Sequence, residues 1–372
     1  MNQDTLQQKR HNQFSERDWD KLITHVIAGN VVPVIGAELL SVTGDDGNPV
    51  CLYEIWRKAL ARQMDLQVSH DGSVPLLYCI ANQISQNQTG DFDLTYDIDC
   101  IVRQQTWPMP ESLGKLAEIG SFPLFVTTTI DHMMKCALDE ALSSHHRSVK
   151  QIVFRPHGDK TKIDLPENFE NLETPTVFHL FGASHPTNPE EFSRTEDDLI
   201  EFSWSLIDQQ FAPSRLYSYL RRKMLLLIGC NFPDWLGRFL IYALHVGRHE
   251  SFQHARSIYY VSSIIESGLE AFLKRKHATV VNFPHPNDFV NELHSRWRNK
   301  KPQSEQKPAI SESHHPTSIK RGAVFLSYAK EDRDAVLKIK KQLEAANIDN
   351  WMDESELEPG DEFQNIIHNN IR

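Results

Sequence analysis

The chain has 372 residues, 40% of them apolar, enough for two or more domains with sizeable cores. Its 39 Lys and Arg stand against 50 Asp and Glu, a formal net charge of −11, which argues against a general nucleic-acid binder because phosphate contacts need a basic face. Five cysteines (Cys51, Cys79, Cys100, Cys136, Cys230) occur without a C-x-x-C pair, which offers no zinc site and fits a reducing cytosol. No apolar run approaches the length of a membrane span, and the polar start, Met1 to Asp20, lacks a signal-peptide pattern, so a cytoplasmic protein is expected.

Residues 1 to 14 read as a polar arm. Ser15 and Asp18 have capping-box spacing, and a helix follows with Trp19, Leu22, Ile23, Val26 and Ile27 on one face, ended by Gly29. Asn30 to Ile35 reads as a short strand; because a proline cannot donate within a ladder, Pro33 is placed at its start. Gly36-Ala37 then turns tightly into a helix at Glu38 to Val42. Strand, small residues, helix is the geometry that lets backbone amides approach a phosphate, although this is neither G-x-G-x-x-G nor a Walker loop. Gly44 to Pro49 is a turn, and Leu52 to Met64 and Val74 to Ser85 have helical periodicity. Asp91, Asp93, Asp97 and Asp99 read as a solvated acidic loop rather than a divalent-ion site, because no glycine sits at the Ca²⁺-loop position.

A helix over Met109 to Glu118 leads to the most telling stretch. Pro123 to Val126 reads as a buried parallel strand and ends in Thr127-Thr128-Thr129-Ile130-Asp131, before a helix at Met133 to Leu142. Ligands of doubly wound sheets sit outside the carboxyl ends of strands, so polar side chains at this turn point to a ligand; the plainer reading is that Thr129 or Asp131 caps the helix. Residues 143 to 175 read as irregular, with His145, His146 and His157 solvated. Thr176 to Gly182 is a buried strand interrupted by His179 near its end. Helix Glu196 to Leu206, strand Met224 to Ile228, the turn Gly229 to Trp235 and helix Leu236 to Val246 follow. Strands Arg256 to Val261 and Ala278 to Phe283 enclose helix Ile265 to Lys276. Strand and helix alternate throughout, which gives an α/β domain with a parallel sheet over residues 1–298.

Residues 299–321 carry three prolines and four serines and read as a linker. In residues 322–372, Ala323 to Tyr328 and Asn350 to Met352 read as strands around a helix at Asp334 to Ala346, whose inner face is Val336, Ile339 and Leu343. An acidic loop, Asp353 to Asp361, precedes a helix starting at Phe363.

Gly36-Ala37, Thr127 to Asp131, His179-Leu180-Phe181-Gly182 and Gly229 to Trp235 occur in the order of the sirtuin-like fold. Residues 20 to 290 resemble its zinc-less branch, found in bacterial antiphage defence. The resemblance implies a Rossmann-like sheet and NAD⁺ as the substrate, cleaved at the nicotinamide–ribose bond. It implies His179 as general base or ribose-hydroxyl partner and Asp131 as holder of the nicotinamide amide. Gly36, Ala37 and Glu38 would line the pyrophosphate, with Thr127 and Thr128 beside them, and Gly229, Asn231 and Asp234 the adenosine side. Two positions depart from the pattern: Thr129, the third catalytic position with His179 and Asp131, stands where the family has asparagine, and Glu38 where it has the second glycine of Gly-Ala-Gly.

Val324-Phe325-Leu326-Ser327-Tyr328-Ala329, Asp332, Trp351-Met352-Asp353 and Leu357-Glu358-Pro359-Gly360 resemble the first half of a TIR (Toll/interleukin-1 receptor) domain, a flavodoxin-like fold. Its catalytic glutamate would lie beyond Arg372. Together the resemblances imply an antiphage NAD⁺ hydrolase that assembles as a homo-oligomer through either domain, with no membrane or nucleic-acid partner. The alternative is a degenerate sirtuin-like sensor or oligomerisation module that controls a TIR effector.

Overall fold

The computed structural model describes residues 14–44, 47–65, 91–103, 107–143, 148–170, 172, 174–185, 188, 191–245, 258–263, 265–300, 324–326, 336, 338, 342–343 and 350–352. The chain divides into two compact units, Met1–Pro302 and Gln303–Arg372.

In the first unit, α1 (Glu16–Ile27) starts on the expected capping box: the Ser15 hydroxyl accepts from the Asp18 amide at 3.2 Å while Asp18 accepts from the Ser15 amide. Trp19, Leu22, Ile23 and Val26 are buried, but Ile27 points to solvent. Seven parallel strands form one sheet among the described residues: β1 (Val31–Ile35), β4 (Leu124–Thr127), β5 (Lys150–Val153), β6 (Thr176–His179), β7 (Met224–Ile228), β8 (Ile258–Ser262) and β9 (Thr279–Asn282), in the order β5-β6-β4-β1-β7-β8-β9. Strand order reverses at β1, the position where doubly wound sheets bind ligands.

Alternation along the strands sorts side chains onto two faces. Ile35, Phe125, Val177 and Ile228 join a core under α1, α2 (Leu52–Gln63), α3 (Asp91–Val102), α4 (Glu111–Glu118), α5 (Met133–Leu142) and the C-terminal helix of the unit, α11 (Pro286–Lys300). Val34, Val126, Phe178 and Leu227 join the opposite core. That core is covered by α6 (Lys160–Ile163), α7 (Glu196–Ile207), α8 (Ser214–Leu220), α9 (Asp234–His245) and α10 (Ser267–Arg275).

Several expectations are corrected. Pro33 lies in the middle of β1, not at its start, and β1 is central. The missing N–H is harmless because odd-numbered residues of β1 face β4, as the Ile35 carbonyl does, and the ladder with β4 begins only at Val34 and Ile35. No α-helix follows Gly36. Ala37–Leu39 form a single 3₁₀ turn, and the chain enters a hairpin of β2 (Ser41–Thr43) and β3 (Pro49–Cys51). The aspartate-rich stretch is helix α3, not a loop: Leu94, Ile98 and Ile101 recur at helical spacing and are buried, while Asp99 pairs with Arg103 at 2.8 Å. Residues 143–175 contain β5 and α6 rather than irregular chain alone. Val74 to Ser85, His145, His146 and residues 1–13 and 301–321 lie outside the described residues.

In the second unit, β10 (Val324–Leu326) and β11 (Asn350–Met352) pair in parallel, Phe325 opposite Trp351. Val336, Lys338, Gln342 and Leu343 are helical, with Val336 buried. Asp353 to Asp361 and the helix expected from Phe363 lie outside the described residues.

At the reversal point Gly36 lies against β7. A Cβ there would meet the Gly229 carbonyl oxygen at 2.2 Å and Cys230 Cα at 2.5 Å. Gly36 itself is extended backbone that any residue adopts (φ −111°, ψ 175°), so the penalty is purely steric. Gly36→Ala is expected to lower unfolding free energy by about 1–3 kcal/mol, the range for overpacking a filled site; urea unfolding with an unchanged midpoint would remove this contact as a constraint.

Candidate functional site

The threonine-rich turn after β4 is tied down residue by residue. Thr128 donates both its amide and its hydroxyl to the Ile35 carbonyl, each at 3.0 Å, which binds the end of β4 to β1. Thr127 and Thr129 share a hydroxyl–hydroxyl bond of 2.7 Å, and the Thr129 amide donates to the Thr127 hydroxyl at 3.1 Å. The Ile130 amide donates to the Tyr53 hydroxyl, and the Ile130 carbonyl accepts from the Ser184 amide. Asp131 Oδ1 accepts the Met133 amide at 2.8 Å from one residue ahead of the N-cap, which is His132 and not Thr129 or Asp131 as expected. Asp131 Oδ2, however, is buried without a partner. Burial pushes the Asp131 carboxyl up from its ordinary range, only partly offset by nearby Thr129 and the Met133 N–H.

On the neighbouring strand, His179 pairs in register with Thr127, and both side chains lie on the α5 face. His179 is 1% exposed. Burial, reinforced by the neighbouring His132 and only slightly opposed by the Thr129 backbone, lowers its pKa to about 3, so the imidazole is neutral at physiological pH. Its Nδ1 is buried without a partner. Its Nε2 lies 3.0 Å from the amide nitrogen of Gln151, which is also 2.8 Å from His132 Nδ1. His132 Nε2 lies 3.2 Å from the Ser184 carbonyl, which also accepts from Arg103 at 2.9 Å. The Ser184 hydroxyl is another buried atom without a partner. The segment after β6 is pinned in turn: Gly182 bridges to Phe192, Ser193 donates to the Phe181 carbonyl, and Arg155 pairs with Glu191.

The residues expected at the phosphate and adenosine side lie at β1, β7 and β8. The Gly36 amide donates to the Ile228 carbonyl at 2.9 Å and the Glu38 amide to the Gly229 carbonyl at 3.1 Å, so two of the amides expected to cradle a pyrophosphate serve the sheet instead. Glu38 turns toward the end of β8, where its carboxylate accepts from the Ser262 hydroxyl at 3.1 Å, the Ser263 amide at 3.2 Å and the Ser263 hydroxyl. Gly229 adopts φ +66° beneath Leu39. Asn231 is exposed, and Asp234 sits at the first position of α9, paired with Arg238 at 2.6 Å.

The structure therefore gathers Thr127, Thr129, Asp131 and His179 at the carboxyl ends of β4 and β6, and Gly36, Ala37, Glu38 and Gly229 at β1 and β7. Sequence reasoning missed Gln151, His132, Ser184 and Tyr53. His132 was within reach, as the residue directly after Asp131; Gln151 lay in a stretch read as irregular. Among the described residues no group of His, Cys, Asp and Glu has metal-site geometry, and no helix is long and apolar enough to cross a membrane; His157 is largely exposed and stacks edge-on against Phe211.

Comparison with known families supports both units. A SIR2-like domain matches residues 123–281 and a TIR domain matches residues 324–372. The chain thus carries a SIR2-like domain joined to a partial TIR match. The SIR2-like match begins at β4 and includes His179 and Asp131 but not Gly36 to Glu38. No curated protein matches the chain.

The Asp131 carboxyl supplies a pH test. Because its folded pKa is raised, folding takes up a proton; stability is highest below the ordinary carboxylate range and falls as pH rises through it toward the folded pKa. Asp131→Asn keeps an acceptor for the Met133 amide and removes that fall. It is expected to be more stable than wild type at pH 7 by about 1–3 kcal/mol and to match it near pH 3. Chemical denaturation at both pH values checks this, and equal stability at pH 7 would contradict it.

Proposed function

We propose that this chain is an NAD⁺-consuming defence protein that cleaves the nicotinamide–ribose bond, with the SIR2-like unit holding the nicotinamide–ribose end at the carboxyl ends of β4 and β6. The observation that carries this reading is Asp131: one oxygen accepts the first amide of α5, and the other is buried without a geometric partner at the strand end where such folds bind ligands. A free carboxylate oxygen of this kind is an acceptor for the amide N–H of nicotinamide. His179 Nδ1 and the Ser184 hydroxyl, also buried and unpartnered, are further polar contacts for a ribose or carboxamide.

The charge state suits the chemistry. Nicotinamide departs as a neutral molecule while positive charge develops on the ribose carbon, as in glycoside cleavage. An imidazole with its pKa near 3 adds no opposing positive charge there, so His179 is read as a neutral hydrogen-bonding partner rather than as an imidazolium. Two families that commonly handle NAD, joined in one chain, support NAD⁺ as the substrate.

One observation favours a second reading, in which the SIR2-like unit senses a nucleotide and controls the TIR unit. Glu38 occupies the Ser262–Ser263 donors, and the Gly36 and Glu38 amides are engaged by the Ile228 and Gly229 carbonyls. Nicotinamide release from NAD⁺ by the full chain separates the two. Asp131→Asn and His179→Ala are each expected to reduce release by about 10- to 100-fold, the equivalent of one lost buried hydrogen bond. Release unchanged in both variants would move the chemistry out of this site and favour the sensor.

A further inference from the structure

The hydrogen-bond network behind His179 has a polarity, and one backbone carbonyl sets it. The Ser184 carbonyl can only accept, so His132 Nε2, 3.2 Å away, must carry a hydrogen. Where that is the one hydrogen His132 carries, its Nδ1 is an acceptor, and the Gln151 atom 2.8 Å from it must donate. That atom is the amide nitrogen, whose second hydrogen is directed to His179 Nε2 at 3.0 Å. His179 Nε2 is therefore an acceptor, and the single proton of this neutral imidazole resides on Nδ1. The opposite orientation of the Gln151 amide would present its oxygen to both rings. It would require hydrogens on both nitrogens of His132, a cation.

We infer that Gln151 is a positioning residue that fixes the tautomer of His179, so that the unpartnered Nδ1 meets a ligand as an N–H donor and not as a lone pair. The ligand atom it takes is an acceptor oxygen, a carboxamide carbonyl or a hydroxyl. Placed on the same sheet face as Thr127 and one strand from the Asp131 turn, the His179 donor complements the Asp131 Oδ2 acceptor. A group that both donates and accepts, such as a primary amide, is matched by that pair. In this arrangement Nδ1 has no lone pair to receive a proton from a ribose hydroxyl, so a base role for His179 requires the network to invert first. The identity of the ligand rests on the proposed function; the tautomer does not.

The test reads the ring nitrogens directly. Long-range ¹H–¹⁵N correlation spectra of the ¹⁵N-histidine-labelled full chain at pH 7, without nucleotide, distinguish protonated from unprotonated ring nitrogens, and His179→Gln assigns the signals. His179 is expected with a protonated Nδ1 and an unprotonated Nε2. In Gln151→Glu, whose carboxylate only accepts, the pattern is expected to invert to Nε2–H. In Gln151→Met, which has neither group, the preference is expected to be lost. A wild-type His179 protonated at Nε2 would overturn the inference, and so would a tautomer unmoved by Gln151→Glu. Should Gln151→Glu fail to fold, Gln151→Met carries the test: a His179 still protonated only at Nδ1 in that variant would overturn the role of Gln151. Nicotinamide release is scored separately: release indifferent to Asp131→Asn alongside the expected tautomers would remove the proposed function and leave the role of Gln151 intact.

Discussion

Two glycines from different strands meet backbone to backbone where the strand order of the sheet reverses. Gly36 at the end of β1 leaves no room for a Cβ against the Gly229 carbonyl, and Gly229 turns with a positive φ beneath Leu39. This contact decides the use of the switch point. With the two strand ends in contact, the Gly36 and Glu38 amides satisfy the carbonyls of Ile228, the last residue of β7, and of Gly229 just after it. An open crevice at this point would leave such amides to a phosphate; here the sheet has claimed two of them. The orphaned polar groups lie instead one and two strands away, at β4 and β6.

Glu38 follows from the same geometry. A carboxylate at the turn after β1 would repel a pyrophosphate if it faced one. It bends over to Ser262 and Ser263 at the end of β8 and takes three donors there. The negative charge is thereby satisfied by hydroxyls and an amide, and β1 is fastened to a strand that it does not pair with. Thr128 does the corresponding work on the other side, where its amide and hydroxyl share the Ile35 carbonyl.

Much of this was legible in the sequence, for a physical reason: central parallel strands are buried on both faces and read as unbroken apolar runs. Met224 to Ile228 and the helix Met133 to Leu142 are found at the expected bounds. What was hidden had mixed character. β5 is an edge strand whose Lys150 and Gln151 make it look like loop. The buried face of α3 is obscured by four aspartates, and Pro33 disguises a central strand because sequence does not reveal which side of a strand carries the unneeded N–H. At the site, Asp131 and His179 stood out as polar residues ending apolar runs. Gln151 did not, because its importance comes from register with Val177, which places it on the same face as His179 across a strand pair visible only in three dimensions.

Buried polar atoms without partners cost roughly 1–3 kcal/mol each, and such groups persist only where the surroundings over-determine their positions. That condition is met here. The Asp131 turn is held by Tyr53, by the Thr127–Thr129 pair and by Ser184; the segment after β6 is held by Phe192, by the Arg155–Glu191 pair and by Arg103. None of these bonds uses Asp131 Oδ2 or His179 Nδ1; Thr129 is the polar neighbour of both groups and only partly offsets their burial. A core built for stability alone would have done the reverse and spent its nearby donors on the carboxylate. A buried polar group already held in place gains most from an incoming partner, because no reorganisation precedes the bond. That is the physical case for reading the end of β4 and β6 as a binding site even though the turn after β1 has been given over to the sheet.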